Sequence, residues 1–319
     1  MFLRFITKRR VLLLMAAGCG LFFFHWYQND FFAGQKIDGK EIFEDVKNSY
    51  SLASHSEIKS VLDQPFDYLG HGKQCYVFTS RDNRFVIKFF NFSSNHRPSW
   101  LRFVRLPQFL KWEKIWARKE RRGRDFFRGY CLDQCVQELF PAMTATLHVG
   151  FENSSHRELI LYDKKHQKHS IQLDNTAFVL QRKASPFLPW IEESFGTEAL
   201  FRKRIGAYLD LLLMRADLGI HDPDGRLLDH IGLVDERLVF IDQGRICFEQ
   251  EIARGSLLKE KMFKETKEMR KFLSKISSEK LHMFEEELAE KLSSRNESTS
   301  PEERSLLHRL FDQRSHKTR

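Results

Sequence analysis

Five aspartates and Glu236 fall within the twenty-five residues of the stretch "HDPDGRLLDHIGLVDERLVFIDQGR", residues 221–245, which also holds two short apolar runs, "IGLV" and "LVFI". Asp242 follows "LVFI" directly. An acid after four apolar residues sits at a strand end beside the core, where a metal ion or a hydrogen-bond network must satisfy it. Asp229 lies thirteen residues upstream and Asp224 five before that. Two carboxylates converging from a loop and a strand end suit Mg²⁺ bound with a nucleotide polyphosphate. A third can orient an attacking hydroxyl and accept its proton. Asp235 reads as a turn residue.

A second group of candidates lies far upstream. In "YLGHGKQCYVF", Gly70 and Gly72 fall between two strand-like runs, and a hairpin without Cβ atoms lets backbone N–H groups approach phosphates. Lys88 follows in "FVIKFF", eleven residues after Val77. Strand alternation puts it on one face with Val86 and Phe90. An inward-facing amine there needs an anion, a carboxylate or a phosphate; the competing reading is an edge-strand lysine facing water.

These residues need elements to hold them. "FDYLGHGK", "QCYVFTSRD" and "RFVIKFF" read as a three-stranded meander, rich in aromatic and β-branched residues and punctuated by Gly70, Gly72 and "RDN". Residues 99–146 read as helical. "RELILYDKK" and "NTAFVLQRKAS" read as further strands, and "EALFRKRIGAYLDLLLMRADLGI" as a long apolar-faced helix stopped by Gly219. Two short strands end the aspartate-rich stretch. From about Leu257 to Leu292 the chain is amphipathic and helical, with "SSEK" as a restart. Ser300, Pro301 and Glu303 fit the start of one last helix. A β-rich part followed by an α-rich part is an α+β arrangement.

In this order the motifs resemble the protein-kinase-like superfamily, in its divergent bacterial and small-molecule branches, from about Phe66 to Ile252. "GHGKQCYV" is similar to the glycine-rich loop G-x-G-x-x-G-x-V, with Gly70, Gly72 and Val77 in register and Cys75 in place of the third glycine. "VIKFF" resembles the strand carrying the phosphate-binding lysine, and "QRKAS" the hinge. The resemblance implies a bilobal fold, with a β-rich N-lobe and an α-rich C-lobe and ATP in the cleft. It implies that Lys88 contacts the phosphates, Asp242 the Mg²⁺, and Asp224 serves as catalytic base. Asp222 competes for that last role, because "IHDPDG" replaces the family's His-Arg-Asp. The metal-binding Asn has two candidate replacements: Asp229 by spacing, His230 by the pattern around "HIGLV". Histidine suits Mg²⁺ poorly, since Mg²⁺ prefers oxygen, so the His230 register points to weak activity or none. Glu113, Glu120 and Glu138 are candidate partners of the lysine, and Glu138 lies on the more apolar segment, "CLDQCVQELF".

The remaining features concern partners and placement. The chain of 319 residues is 42% hydrophobic with 30 Phe, enough for a sizeable core, and carries a formal charge of +9. That charge favours anionic partners without choosing among them. The five cysteines show neither a disulfide framework nor a zinc pattern. "MFLRFITKRR" precedes fourteen apolar residues and then His25, Trp26 and Tyr27, which together reach the lower length for spanning a bilayer. A single-pass anchor is the first reading; a cleaved signal peptide or a lipobox at Cys19 are the alternatives. The charge bias about this segment predicts the main domain outside the cytoplasm, in conflict with ATP use. Residues 102–128 carry ten Lys/Arg against three acids, with Trp112 and Trp116 interspersed. That mixture suits anionic lipid better than nucleic acid, and a solvated helix face equally well. The expected organisation is an anchor or signal (1–27), a juxtamembrane connector (28–64), an N-lobe with a helical insertion (65–184), a helical C-lobe (185–292) and a polar tail (293–319). The expected function is transfer of the ATP γ-phosphoryl to a hydroxyl of a protein, sugar or lipid-linked acceptor. The alternative is an inactive kinase-like module that tethers a partner at the membrane.

Overall fold

Alternation of apolar and polar residues builds one large sheet. The computed structural model describes residues 50–51, 55–72, 75–90, 143–150, 158–173, 178–222, 227–242, 247–249, 252 and 257–294. A short strand β1 (Tyr50–Ser51) and a helix α1 (His55–Leu62) lead into β2 (Phe66–His71), β3 (Cys75–Ser80) and β4 (Phe85–Phe90). These last three pair antiparallel in sequence order, as the expected meander. The β3–β4 turn is held by Asp82, whose carboxylate accepts from Ser80 Oγ at 2.6 Å and from the Arg84 N–H at 3.1 Å, while Asn83 takes a φ of 61°. Four more strands follow: β5 (Thr146–Gly150), β6 (Glu158–Tyr162), β7 (Lys168–Gln172) and β8 (Phe178–Arg182). The order across the sheet is β1-β5-β8-β4-β3-β2-β6-β7, mixed because β2 and β6 run parallel.

The sheet has two unlike faces. Tyr76, Phe78, Phe85, Ile87, Phe89, Phe178 and Leu180 point to one side and form a core with Ile58, Val61 and Leu62 of α1. Thus the end of the segment read as a connector packs onto the sheet. Each fully buried large apolar side chain there contributes roughly 1.5–3 kcal/mol. The other face carries Val77, Lys88 and Val179 as directly opposed cross-strand neighbours.

A second core is mostly helical. After β8 the chain passes through β9 (Ser185–Pro186) into α2 (Phe187–Glu192) and then α3 (Glu198–Asp217). Apolar residues all round α3, among them Phe201, Ile205, Tyr208, Leu212 and Leu213, are buried, as expected of a central helix. Gly219 ends it with a φ of 73° and an N–H bond to Ala216 O at 2.8 Å, a left-handed stop that favours glycine. A two-residue strand β10 (Ile220–His221) follows, then a 3₁₀ turn (Leu227–Asp229) and the hairpin β11 (Ile231–Val234) and β12 (Arg237–Phe240). Asp235 and Glu236 join the hairpin with φ of 50° and 62°, so Asp235 is the turn residue expected. A further short strand, β13 (Cys247–Phe248), pairs with β10. The helices α4 (Leu258–Glu265), α5 (Lys267–Ile276) and α6 (Ser278–Ser294) complete this part. The restart at "SSEK" holds, and Ser277 Oγ accepts from the Lys280 N–H at 3.3 Å.

The protein is α+β, with one core on the sheet and one among the helices. The two parts meet along the "QRKAS" connection and the β11–β12 hairpin. β9 pairs with β11 through Gly232↔Pro186 and Leu233↔Ser185. Phe240 N–H donates to Met143 O at 2.8 Å, and Thr144 bridges Phe240 in parallel. Among the described residues no helix is long and apolar enough to cross a membrane. Outside the described residues lie the apolar segment of 1–27, the basic segment 102–128, Glu113, Glu120 and Glu138, Asp224, Gln243 and the tail beyond 294.

Candidate functional site

The hairpin β11–β12 fixes which residues stand at its open end. Ile231 pairs with Phe240, and Ile241 N–H then donates to His230 O at 2.8 Å. Residues 230 and 241–242 therefore emerge side by side, and the parallel bridge at Phe240 lifts them to the sheet. Lys88 comes down to meet them: its ammonium donates to Ile241 O at 2.6 Å across 153 residues of chain. The lysine is half-buried on a central strand between β3 and β8, so the edge-strand reading does not hold.

His230 is held from two sides. Its Nδ1 lies 3.0 Å from Asp222 Oδ2, and its Nε2 lies 3.9 Å from Asp242 Oδ2. An ionised carboxylate only accepts, so Nδ1–H donates to Asp222. Burial pulls the His230 pKa down, but the hydrogen bond to Asp222 and the charges of Asp242, Asp222 and Asp229 outweigh it and leave it above the ordinary imidazole value. Asp229 acts here only through its charge; it sits exposed on the 3₁₀ turn. The structure thus brings together Lys88, Asp242, His230 and Asp222, and His230 rather than Asp229 occupies the position just ahead of β11.

Asp222 is anchored from behind. Its side chain is only 2% exposed, and its N–H donates to Glu265 Oε1 at 3.2 Å. Glu265, at the end of α4, lies 3.1 Å from Arg215 Nη2 of α3, both side chains at most 5% exposed. That approach is an ion pair without hydrogen-bond alignment, since Arg215 Nη2 has no hydrogen-bond partner. The Arg215 guanidinium also lies 4.3 Å from the Phe240 ring centre, an attraction of cation and π-face. Sequence reasoning missed this pair, although its signals were present. Arg215 interrupts the run "LLLMRADLGI", and Glu265 falls three residues after the buried Met262 on the same helical face. Nearby, Lys261 donates to Glu249 at 2.6 Å and holds that carboxyl below its usual range, while burial keeps the adjacent His221 below its own.

The glycine hairpin belongs to the same sheet as Lys88. Gly70 pairs with Val77, which itself pairs with Lys88, and Gly72 N–H donates to Cys75 O at 2.9 Å. A Cβ added at Gly70 or Gly72 would meet nothing within 4 Å, and neither residue has the positive φ found at Gly219. Neither protein crowding nor backbone conformation therefore demands glycine at these positions. Cys75 is buried beside Lys88 and Asp242; burial pushes its thiol far up, with smaller opposed effects of those two charges, which makes it inert.

The arrangement offers one ammonium, one half-exposed carboxylate and a buried carboxylate–imidazole pair beside an open glycine hairpin. Among the described residues no group of three or more His, Cys, Asp or Glu is disposed to hold a metal ion. No family model matches the chain, and no curated protein matches it.

Proposed function

We propose that the chain has a kinase-like bilobal fold and binds the phosphates of a nucleoside triphosphate between the sheet and the helical part. The observation that carries this reading is the meeting of Lys88 with the end of β12, which sets an ammonium near Asp242 on the sheet that also carries the glycine hairpin. Such a lysine on the third strand of a glycine-loop meander, opposite a strand-end aspartate, is how kinases hold a nucleotide. Space above Gly70 and Gly72 supports the fit, because backbone that no neighbour crowds is open to a phosphate. Gly70, Gly72 and Lys88 would hold the phosphates, and Val77 would lie against the remainder of the nucleotide. Equilibrium binding of a fluorescent ATP analogue to the full-length chain tests this, with Lys88→Ala as comparison. Saturable binding that the variant loses supports the reading, and absence of binding refutes it.

Of the two uses of such a cleft, the binding module fits better than the phosphotransferase. Asp222 is buried and bonded to His230, and in the register that sets His230 at the metal-binding Asn an imidazole stands where the metal needs oxygen. In the phosphotransferase reading an acceptor hydroxyl gives its proton to Asp224 and takes the γ-phosphoryl, releasing ADP. Release of ADP from ATP in the presence of a hydroxyl acceptor would favour that reading. With the apolar N-terminal segment as anchor, the module would work at a membrane surface and recognise a protein partner there.

A further inference from the structure

Resting on the nucleotide-binding reading above, we infer that this cleft takes the phosphates without a divalent cation, because the ring of His230 stands where the cation's second oxygen ligand would be.

Mg²⁺ requires near-octahedral oxygen ligands at about 2.0–2.1 Å and is usually held by one or two carboxylates together with the substrate's phosphates. The open end of the β11–β12 hairpin is the place for those carboxylates, and it supplies one, Asp242. The facing position is His230, which presents nitrogen. Its Nε2 lies 3.9 Å from Asp242 Oδ2, and its Nδ1 is committed to Asp222 at 3.0 Å. The ring is not a loose side chain that turns aside for an ion. Asp222, which fixes it, is buried and tied through its own N–H to Glu265. The nearest other carboxylate in sequence, Asp229, is exposed on the 3₁₀ turn. The residues do not fit Mg²⁺. Positive charge for the phosphates comes instead from Lys88, with the uncrowded backbone of Gly70 and Gly72 on the same sheet.

Isothermal titration of the full-length chain in detergent tests this with three probes: ATP with Mg²⁺, ATP with EDTA, and Mg²⁺ alone. We expect the two ATP titrations to give dissociation constants within about threefold of one another, well under 1 kcal/mol, and no heat of binding from Mg²⁺ alone. His230→Asn restores an oxygen ligand at the hairpin, and its ATP affinity should become at least about tenfold tighter with Mg²⁺ than with EDTA. Wild-type affinity that falls tenfold or more in EDTA overturns the inference and leaves the nucleotide-binding reading standing. Absence of ATP binding in both buffers overturns both. The wild-type comparison decides by itself if His230→Asn does not fold.

Discussion

At the scale of single residues, Lys88 and the Arg215–Glu265 pair do different work. Lys88 is half-buried and gives a charge-assisted bond to a backbone carbonyl. Its loss to Ala should cost the phosphates roughly 1.5–3 kcal/mol, a ten- to hundredfold weaker ATP affinity, and should also lower the urea midpoint of the apoprotein, because Ile241 O loses its donor. Arg215 and Glu265 are buried behind Asp222. Removing one charge of a buried pair strands the other, so Glu265→Gln or Arg215→Met should each destabilise the fold by about 3–5 kcal/mol in urea unfolding. The double change Arg215→Met with Glu265→Leu should recover part of that loss, though the Asp222 N–H would still lack its acceptor. Equal or greater damage in the double variant would contradict the ion-pair account.

At the scale of elements, the β11–β12 hairpin is what turns a loop of carboxylates into a site. Its register puts His230 next to Ile241, and its contact with β9 joins the sheet to the helices. Gly232 makes that contact possible: a Cβ there would come 2.7 Å from Ala184 Cβ and 3.0 Å from Ser185 O. Gly232→Ala should therefore cost about 1–3 kcal/mol and loosen the site as well. At the other end, Glu236 holds a φ of 62° that non-glycine residues adopt at some cost. Glu236→Gly should raise stability by up to about 1 kcal/mol, and a lower urea midpoint would contradict the turn assignment. Much of this was legible in the sequence. The meander, the stop at Gly219, the Asp235 turn and the restart at Ser278 all follow from side-chain chemistry that acts locally. The outward placement of Asp229 was not legible, because its spacing from Asp224 cannot reveal the 3₁₀ turn that exposes it. The strands β1, β5, β7, β9, β10 and β13 were missed for a similar reason, and β5 starts at Thr146, at the end of the segment read as helical, where residues 143–146 are not helix. β7 is a polar edge strand, and β1, β9, β10 and β13 are two-residue pairings made by tertiary contact.

At the scale of the whole molecule, two cores meet along one seam, and several carboxylates tie that arrangement to pH. Desolvation raises the Asp82 and Asp163 carboxyls, but hydrogen bonds win in both and leave them below the ordinary aspartate value. Asp163 accepts from the Gln167 and Lys165 N–H groups and from His169 in the β6–β7 turn. Glu249 is lowered by the Lys261 hydrogen bond, against an ordinary value of 4.5. A carboxyl whose pKa is lowered by folding contributes stability that is present above the unfolded value and lost as pH falls through the folded one. The urea midpoint should therefore fall as the pH drops below about 4.5, and Asp163→Asn should flatten part of that fall. A midpoint unchanged down to about pH 3 would contradict the assignment of these bonds.

The central claim is that a nucleotide lies between the glycine hairpin and the end of β12. Hydrogen–deuterium exchange of the full-length chain, with and without saturating ATP, tests it most directly. The account predicts slower exchange in 66–80, 85–90 and 227–242, with 158–172 and 278–294 unchanged. Protection confined to the helices, or none at any of these segments, would contradict it.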